Sequence, residues 1–307
     1  MKKILPNSNS PLEDYRIFSE VNCIVSDIDG TLTCGSTPIL EQIKKKTFSL
    51  RRNKVITTIA TGRPYRGAYH IVNDLGIADG TPIVLYNGGV LLKHHTGHII
   101  KEYAIPYVEM KRIVEIVAKY GAGIYIYTCD ELEQDLFNIL DLYRLNECVY
   151  YAGTKKVEVD INNFSTLPLK IAELKDKKVV SILIEKKELS LDANEEVMKY
   201  LDSDSQVSYT DSGSGFIEVR ALQDKKSIII DELRGRSSSN RYKSGKILAI
   251  GDNDNDIDLF ENADISVAVA NSSRNAKNIA DFICENESAA GYLDMLIVIE
   301  RAKRYWK

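Results

Sequence analysis

Short, almost unbroken apolar runs alternate along the chain with longer stretches in which apolar residues recur every three or four positions. This is the pattern of strands buried on both faces by covering helices. The clearest runs, at residues 21–26, 54–60, 82–86 and 246–250, predict the strands of a largely parallel sheet. Three of them lead directly into polar or glycine-bearing turns: Asp27-Ile28-Asp29-Gly30, Thr61-Gly62-Arg63 and Gly251-Asp252. In an open parallel sheet the ligand site lies beyond the carboxyl ends of the strands. These turns, far apart in sequence, are therefore expected to converge.

The middle of the chain reads differently. Residues 99–105, 123–128, 156–160, 179–184, 206–210 and 216–220 predict strands with more alternation, interleaved with helices at 108–120 and 194–201. They predict a second α/β layer at 89–220, inserted into a core built from 1–88 and 221–307. A chain of 307 residues has room for both, since a typical domain takes about 150. The Ser-rich stretch 235–244, with Arg234, Arg236, Arg241 and Lys243 in and around it, predicts a solvated basic loop.

Composition narrows the function classes. With 44% hydrophobic and 27% charged residues the chain is globular, and its net charge of −4 lacks the basic excess of a protein that neutralises nucleic-acid phosphates. Neither a nucleic-acid nor a membrane partner is expected. No apolar run approaches the roughly 20 residues that span a bilayer, and the N-terminal apolar stretch stops too early for an export signal. Five widely spaced cysteines, without a CxxC pair, suit neither a disulfide framework nor a zinc site, and a cytoplasmic setting is expected.

The candidate chemistry sits in the turns. Asp27 ends a strand and Asp29 follows two residues later, so two carboxylates can share one pocket. An ionised carboxylate is a ready nucleophile that repels an anionic phosphate until a cation intervenes, which implies a metal. A second carboxylate among like charges can have its pKa raised enough to protonate a leaving alcohol. In Gly251-Asp252-Asn253-Asp254-Asn255-Asp256 three acids alternate, but an EF-hand loop would need Gly where Ile257 stands and Glu where Ala263 stands. The segment instead predicts Asp252 as an oxygen ligand for Mg²⁺, with Asp256 supporting it one helical turn on. Thr61 and Gly62 form a neutral phosphate cradle, with Arg63 just past it. Lys225 or Lys226, ahead of an apolar helical pattern, supplies an ammonium. His94, His95 and His98 flank Thr96-Gly97, which reads as a hairpin turn, and they are given no metal role.

The ordered set Asp-Ile-Asp-Gly-Thr-Leu-Thr (27–33), Ala-Thr-Gly-Arg-Pro (60–64), a helix-leading Lys and Gly-Asp-Asn-Asp-Asn-Asp-Ile (251–257) resembles the haloacid dehalogenase superfamily. Tyr86-Asn87-Gly88-Gly89 and Val267-Ala268-Val269-Ala270-Asn271, with Lys277, Ala280-Asp281 and Gly291, resemble its Cof-type phosphatase branch. The resemblance implies a Rossmann-like core with an α/β cap that sets specificity, and Mg²⁺-dependent hydrolysis of a small phosphorylated metabolite. It implies that Asp27 attacks phosphorus and that Asp29 protonates the leaving group and then activates water. It further implies a metal held by Asp27, Asp252 and the Asp29 carbonyl with Asp256 behind, and a substrate held by Thr61, Gly62, Arg63, Asn87, Lys226 and Asn255. Ser227 stands where family members usually have Gly after the lysine. Lys226 is preferred over Lys225 because Ile230 and Leu233 then fall on the buried helix face. A phosphomutase using the same nucleophile, or a non-enzymatic receiver phosphorylated on Asp27, would share much of this pattern.

Overall fold

The computed structural model describes residues 3–7, 9–34, 38–129, 148–152, 174–203, 206–211, 215–235 and 245–306. The strand expected at 156–160 and most of the Ser-rich loop lie outside these residues. The first half of the chain carries β1 (Lys3–Ile4), β2 (Val21–Ser26), α1 (Glu41–Arg52), β3 (Ile56–Ile59), α2 (Tyr65–Asp74), β4 (Pro82–Leu85), β5 (Val90–Lys93), β6 (Ile99–Glu102), α3 (Tyr107–Lys119), β7 (Gly123–Thr128) and β8 (Cys148–Ala152). There follow β9 (Val179–Glu185), α4 (Leu191–Leu201), β10 (Val207–Asp211), β11 (Phe216–Ala221), α5 (Ile228–Leu233), β12 (Lys246–Gly251), α6 (Ile257–Asn262), β13 (Ile265–Ala268), α7 (Arg274–Ile279), β14 (Phe282–Ile283) and α8 (Ser288–Tyr305).

Contacts divide the chain into two units, one of Met1–Arg63, Gly67–Thr96 and Lys225–Lys307, the other of Pro64–Arg66 and Gly97–Asp224. The first is an α/β unit around a parallel sheet of order β1-β14-β13-β12-β2-β3. Its central strands, β2 and β12, are buried along nearly their whole length, which is why their sequences are continuously apolar rather than alternating. Past β3, Ala60 bridges to Val84, and β4 turns back antiparallel into β5. The largest covering helix, α8, buries Tyr292, Met295, Leu296, Val298, Ile299 and Ala302, a stripe spaced at three and four residues. Each large apolar side chain removed from water in this way stabilises the fold by about 1.5–3 kcal/mol.

The first 20 residues, which the sequence leaves without a role, belong to this unit. Lys3 and Ile4 add an edge strand to β14, and Phe18 is buried with its ring 5.0 Å from that of Phe282.

The second unit is a five-stranded sheet of order β10-β11-β9-β7-β8, antiparallel throughout. Met110, Ile113, Val114 and Val117 of α3, with Val197 and Leu201 of α4, pack with Ile124, Ile126, Ile182, Ile184, Ile217 and Val219 of the strands. The Ser190 hydroxyl accepts the Ala193 N–H and caps α4, satisfying one of the donors a helix start leaves open.

Glycine decides how β4 leads into β5. Tyr86, Asn87 and Gly88 all have positive φ, 52°, 53° and 119°, and a Cβ on Gly88 would stand 2.3 Å from the Lys225 backbone nitrogen. Gly80 also has positive φ, 76°, but open space around it. Gly80→Ala should therefore cost about 1 kcal/mol, from conformation alone. Gly88→Ala should cost about 3 kcal/mol, because backbone must move as well. Urea midpoints measure the difference, and equal losses would mean that the Gly88–Lys225 approach relaxes freely.

Candidate active site

β2 delivers Asp27 to the carboxyl end of the central strands, where its N–H donates to the Ile250 carbonyl of β12 at 3.0 Å. The chain then folds on itself. The Thr31, Leu32 and Thr33 amides all point at the Ile28 carbonyl, and Gly30, at φ 83°, donates to the Thr33 carbonyl at 2.8 Å. Ile28 and Leu32 are buried beneath this loop and anchor it. Gly30 has to be glycine, since a Cβ there would lie 2.3 Å from Asp252 Oδ2.

The centre of the site is an ammonium with no solvent exposure. Lys226 Nζ donates to Asp27 Oδ1 at 2.6 Å and to Asp256 Oδ1 at 2.7 Å. The other oxygen of Asp256 accepts the N–H groups of Asp252 and Asn253 at 3.0 and 3.1 Å. Asp256 is thus fully used in holding Lys226 and the turn after β12. Gly251 leaves room for it, because a Cβ there would come within 2.4 Å of its carboxylate. Asp258 accepts the Ser227 N–H at 2.8 Å and fixes the backbone next to Lys226. Lys225 is exposed.

Asp252 accepts the Thr31 hydroxyl at 2.7 Å, and ligand-capable oxygens of Asp27, Asp252 and Asp256 lie within 4.8 Å of one another. Three carboxylates thus face one ammonium in a poorly solvated place. Burial, the strongest influence, pushes Asp27 up to about 8; Lys226 opposes this, while Asp256 and Asp252 add to it. Burial likewise raises Asp252 to about 6 against the Thr31 hydrogen bond. Lys226 is held above the ordinary lysine value by Asp256 and Asp27 although burial acts the other way, so it remains an ammonium. The donor set, all oxygen and short of positive charge, fits a hard divalent cation.

The second strand end lies beside the first. Thr61 donates its N–H to Val84 at 3.0 Å, its hydroxyl accepts the Arg63 N–H at 3.2 Å, and its carbonyl accepts the Asn87 N–H at 2.9 Å. A Cβ on Gly62 would meet the Asn87 amide at 2.8 Å, so the backbone here stays bare. Asn255 Nδ2 donates to Asn87 Oδ1 at 3.1 Å, leaving its own buried Oδ1 without a protein partner.

A family model of haloacid dehalogenase-like hydrolases matches residues 24–296. The chain belongs to the haloacid dehalogenase-like hydrolases. It is 26% identical over 265 residues to the 5-amino-6-(5-phospho-D-ribitylamino)uracil phosphatase YitU of Bacillus subtilis, an alignment covering 84% of this chain and 90% of that protein. Its fold is similar to that of TM0651 from Thermotoga maritima, with TM-score 0.68 and 20% identity over 92% of this chain and 97% of the other. It is also similar to that of the subclass IIB sugar phosphatase BT4131, with TM-score 0.63 and 19% identity over 93% and 99%.

Set against this haloacid dehalogenase-like frame, the residues singled out from the sequence fall into three groups. Asp27, Lys226, Asp252 and Asp256 form one cluster, and Thr61, Gly62, Asn87 and Asn255 a second in the same unit. Asp29 and Arg63 form a pair of their own, with Arg63 Nε 2.7 Å from Asp29 Oδ2, Nη2 2.5 Å from Oδ1 and Nη1 donating to the Gly67 carbonyl at 3.0 Å. The guanidinium expected at the substrate is therefore engaged by Asp29, and the Asp29 carboxylate stays out of the cluster of Asp27, Asp252 and Asp256. Thr31 and Asp258 escape sequence reasoning. A threonine inside a turn and an acid in the first turn of a helix carry no signal of their own until the backbone shows what they face.

Loss of the buried ammonium should be felt in stability as well as chemistry. Lys226→Met leaves Asp27 and Asp256 without their shared cation and should cost about 3–5 kcal/mol in urea unfolding with EDTA present. Lys225→Met should stay within about 0.5 kcal/mol. The reverse ranking would move the supporting role to Lys225.

Proposed function

We propose that the chain is a Mg²⁺-dependent phosphatase that hydrolyses a phosphate monoester of a small metabolite, a sugar phosphate being the preferred class, through an aspartyl phosphate on Asp27. The observation that carries this reading is the Asp27 carboxylate, held on one oxygen by Lys226 at 2.6 Å and lying next to Asp252 at the mouth of a parallel sheet. Mg²⁺ held by Asp27 and Asp252 supplies the charge neutralisation that lets an anionic ester approach a carboxylate. The remaining roles belong to protein groups.

An Asp27 oxygen attacks phosphorus, and the bond to the leaving alkoxide breaks. Asp29 accepts from the Arg63 guanidinium on both oxygens at rest, so it must first part from Arg63 and take up a proton from solvent, which it then hands to the alkoxide. Asp29 then takes a proton from water, and the hydroxide attacks phosphorus to release phosphate and restore Asp27. The Thr61 hydroxyl, the Gly62 N–H and Asn255 bind phosphoryl oxygens in place of water. Asn87 supports this set by orienting Asn255, and Asp256 does so by fixing Lys226. Every group given a step here belongs to the unit of Met1–Arg63, Gly67–Thr96 and Lys225–Lys307. We assign the inserted segment, 89–220 by the sequence reading, to selecting the leaving group.

The sugar-phosphate assignment draws on two relatives, one named as a sugar phosphatase and one as a phosphatase of a phosphoribitylamino-uracil. Among the described residues no helix is long and apolar enough to cross a membrane.

Phosphate release from a panel of phosphorylated metabolites, with Mg²⁺ and without, tests the reading. Steady multiple turnover on sugar phosphates is expected, silenced by EDTA, restored by Mg²⁺ and not by Ca²⁺, whose looser coordination suits the site less well. Stoichiometric phosphorylation without turnover would instead make the chain a receiver, and dependence on a bisphosphate activator would make it a mutase. Asp27→Asn, which keeps the shape and removes the nucleophile, should fall below about a hundredth of the parent rate. A higher residual rate would remove Asp27 from that role.

A further inference from the structure

A second set of side chains able to ligate an ion lies at the other end of the β4–β5 hairpin. β5 stops at Lys93, and the next two residues are His94 and His95. In an extended strand neighbouring side chains point to opposite faces. Here His95 takes φ 60°, and the two imidazoles come together, their centroids 3.9 Å apart and their planes inclined by 51°. A non-glycine residue in this conformation is sparsely populated and is retained where surrounding structure over-determines it.

The surrounding structure here is the loop after α2. The His94 N–H donates to the Thr81 carbonyl at 2.9 Å, and its own carbonyl accepts the Gly80 N–H at 2.8 Å, so its backbone is clamped to the loop that carries Asp79. Ligand-capable atoms of Asp79, His94 and His95 all lie within 4.8 Å of one another. His94 is fully buried, His95 partly so, and Asp79 is exposed. Asn73 Oδ1 of α2 stands 3.3 Å from His95 Nε2, and a proton held between them leaves the ring's lone pair on Nδ1. Ligating histidines characteristically have such an outer partner, which fixes ring and tautomer.

We infer that Asp79, His94 and His95 form a binding site for a borderline divalent transition-metal ion of the Zn²⁺, Co²⁺ or Ni²⁺ class. Two imidazoles and one carboxylate suit such ions, whereas Mg²⁺ prefers the all-oxygen set around Asp27. The two sites share no residue. An ion held here ties the loop after α2 to the end of β5, and three protein ligands leave positions for water or a further donor.

Zn²⁺ titration of the full chain, without a polyhistidine tag and stripped with chelator, followed by calorimetry in excess Mg²⁺, tests the site. One saturable Zn²⁺ equivalent is expected. Its affinity should fall at least tenfold in His95→Asn, which tolerates the same backbone conformation, and in Asp79→Asn, and should be retained in Asp252→Asn. In ¹⁵N-histidine spectra two imidazoles should shift with Zn²⁺, and circular dichroism should show each variant folded. Zn²⁺ binding that is absent from the Mg²⁺-saturated protein, is equal in the His95 and Asp79 variants, or is lost only with Asp252 would overturn the inference.

Discussion

One ammonium between two carboxylates organises the core unit. Lys226 has no solvent exposure, so its charge persists in the interior only because Asp27 and Asp256 both accept from it. Desolvating three charged groups is expensive, and the arrangement survives because the remaining hydrogen-bonding capacity is largely used as well. Asp256 spends its second oxygen on two backbone amides, Asp258 fixes the residue after Lys226, and Gly88 lets the Lys225 backbone approach the β4–β5 turn. Three stretches of chain, around residues 27, 226 and 256, are thereby locked in register before any substrate arrives.

The same network explains why its carboxylates differ. Asp256 is structural, with every oxygen satisfied. Asp252 takes one hydroxyl from Thr31, and Asp27 one ammonium from Lys226, so each keeps acceptor capacity. Asp29 lies at the surface with Arg63 on both its oxygens. Four aspartates within two short turns therefore have four environments, a division of labour that the spacing of acids in the sequence hints at but cannot assign.

What was legible from sequence follows from burial. β2 has the limits its apolar run predicts, and β12 extends one residue further, because strands covered on both faces must be apolar throughout. The convergence of turns after β2, β3 and β12 follows from parallel-sheet geometry alone. Lys226 is told from its neighbour by helix periodicity, since Ile230 and Leu233 lie on the buried face. The engagement of Arg63 was not legible, because a long flexible side chain beside a cradle can reach either outward or back to Asp29, and only the path of the loop decides. The edge strand at Lys3 and Ile4 is too short for any periodicity to show. The pairing of His94 with His95 was hidden for a related reason: it depends on one backbone angle that breaks the alternation a strand reading assumes.

The sheet order has a consequence for the protein's synthesis. β2 is hydrogen-bonded to β3 on one side and β12 on the other, and β1 to β14, so β1 lacks its partner and β2 its second one until residues 246–283 have been made. The five-stranded sheet of the inserted unit, whose described strands lie between residues 123 and 221, can close before then. A nascent chain therefore carries β2 and β3 with an open apolar edge while an already folded module follows behind, and this interval is when it most needs shielding from other chains.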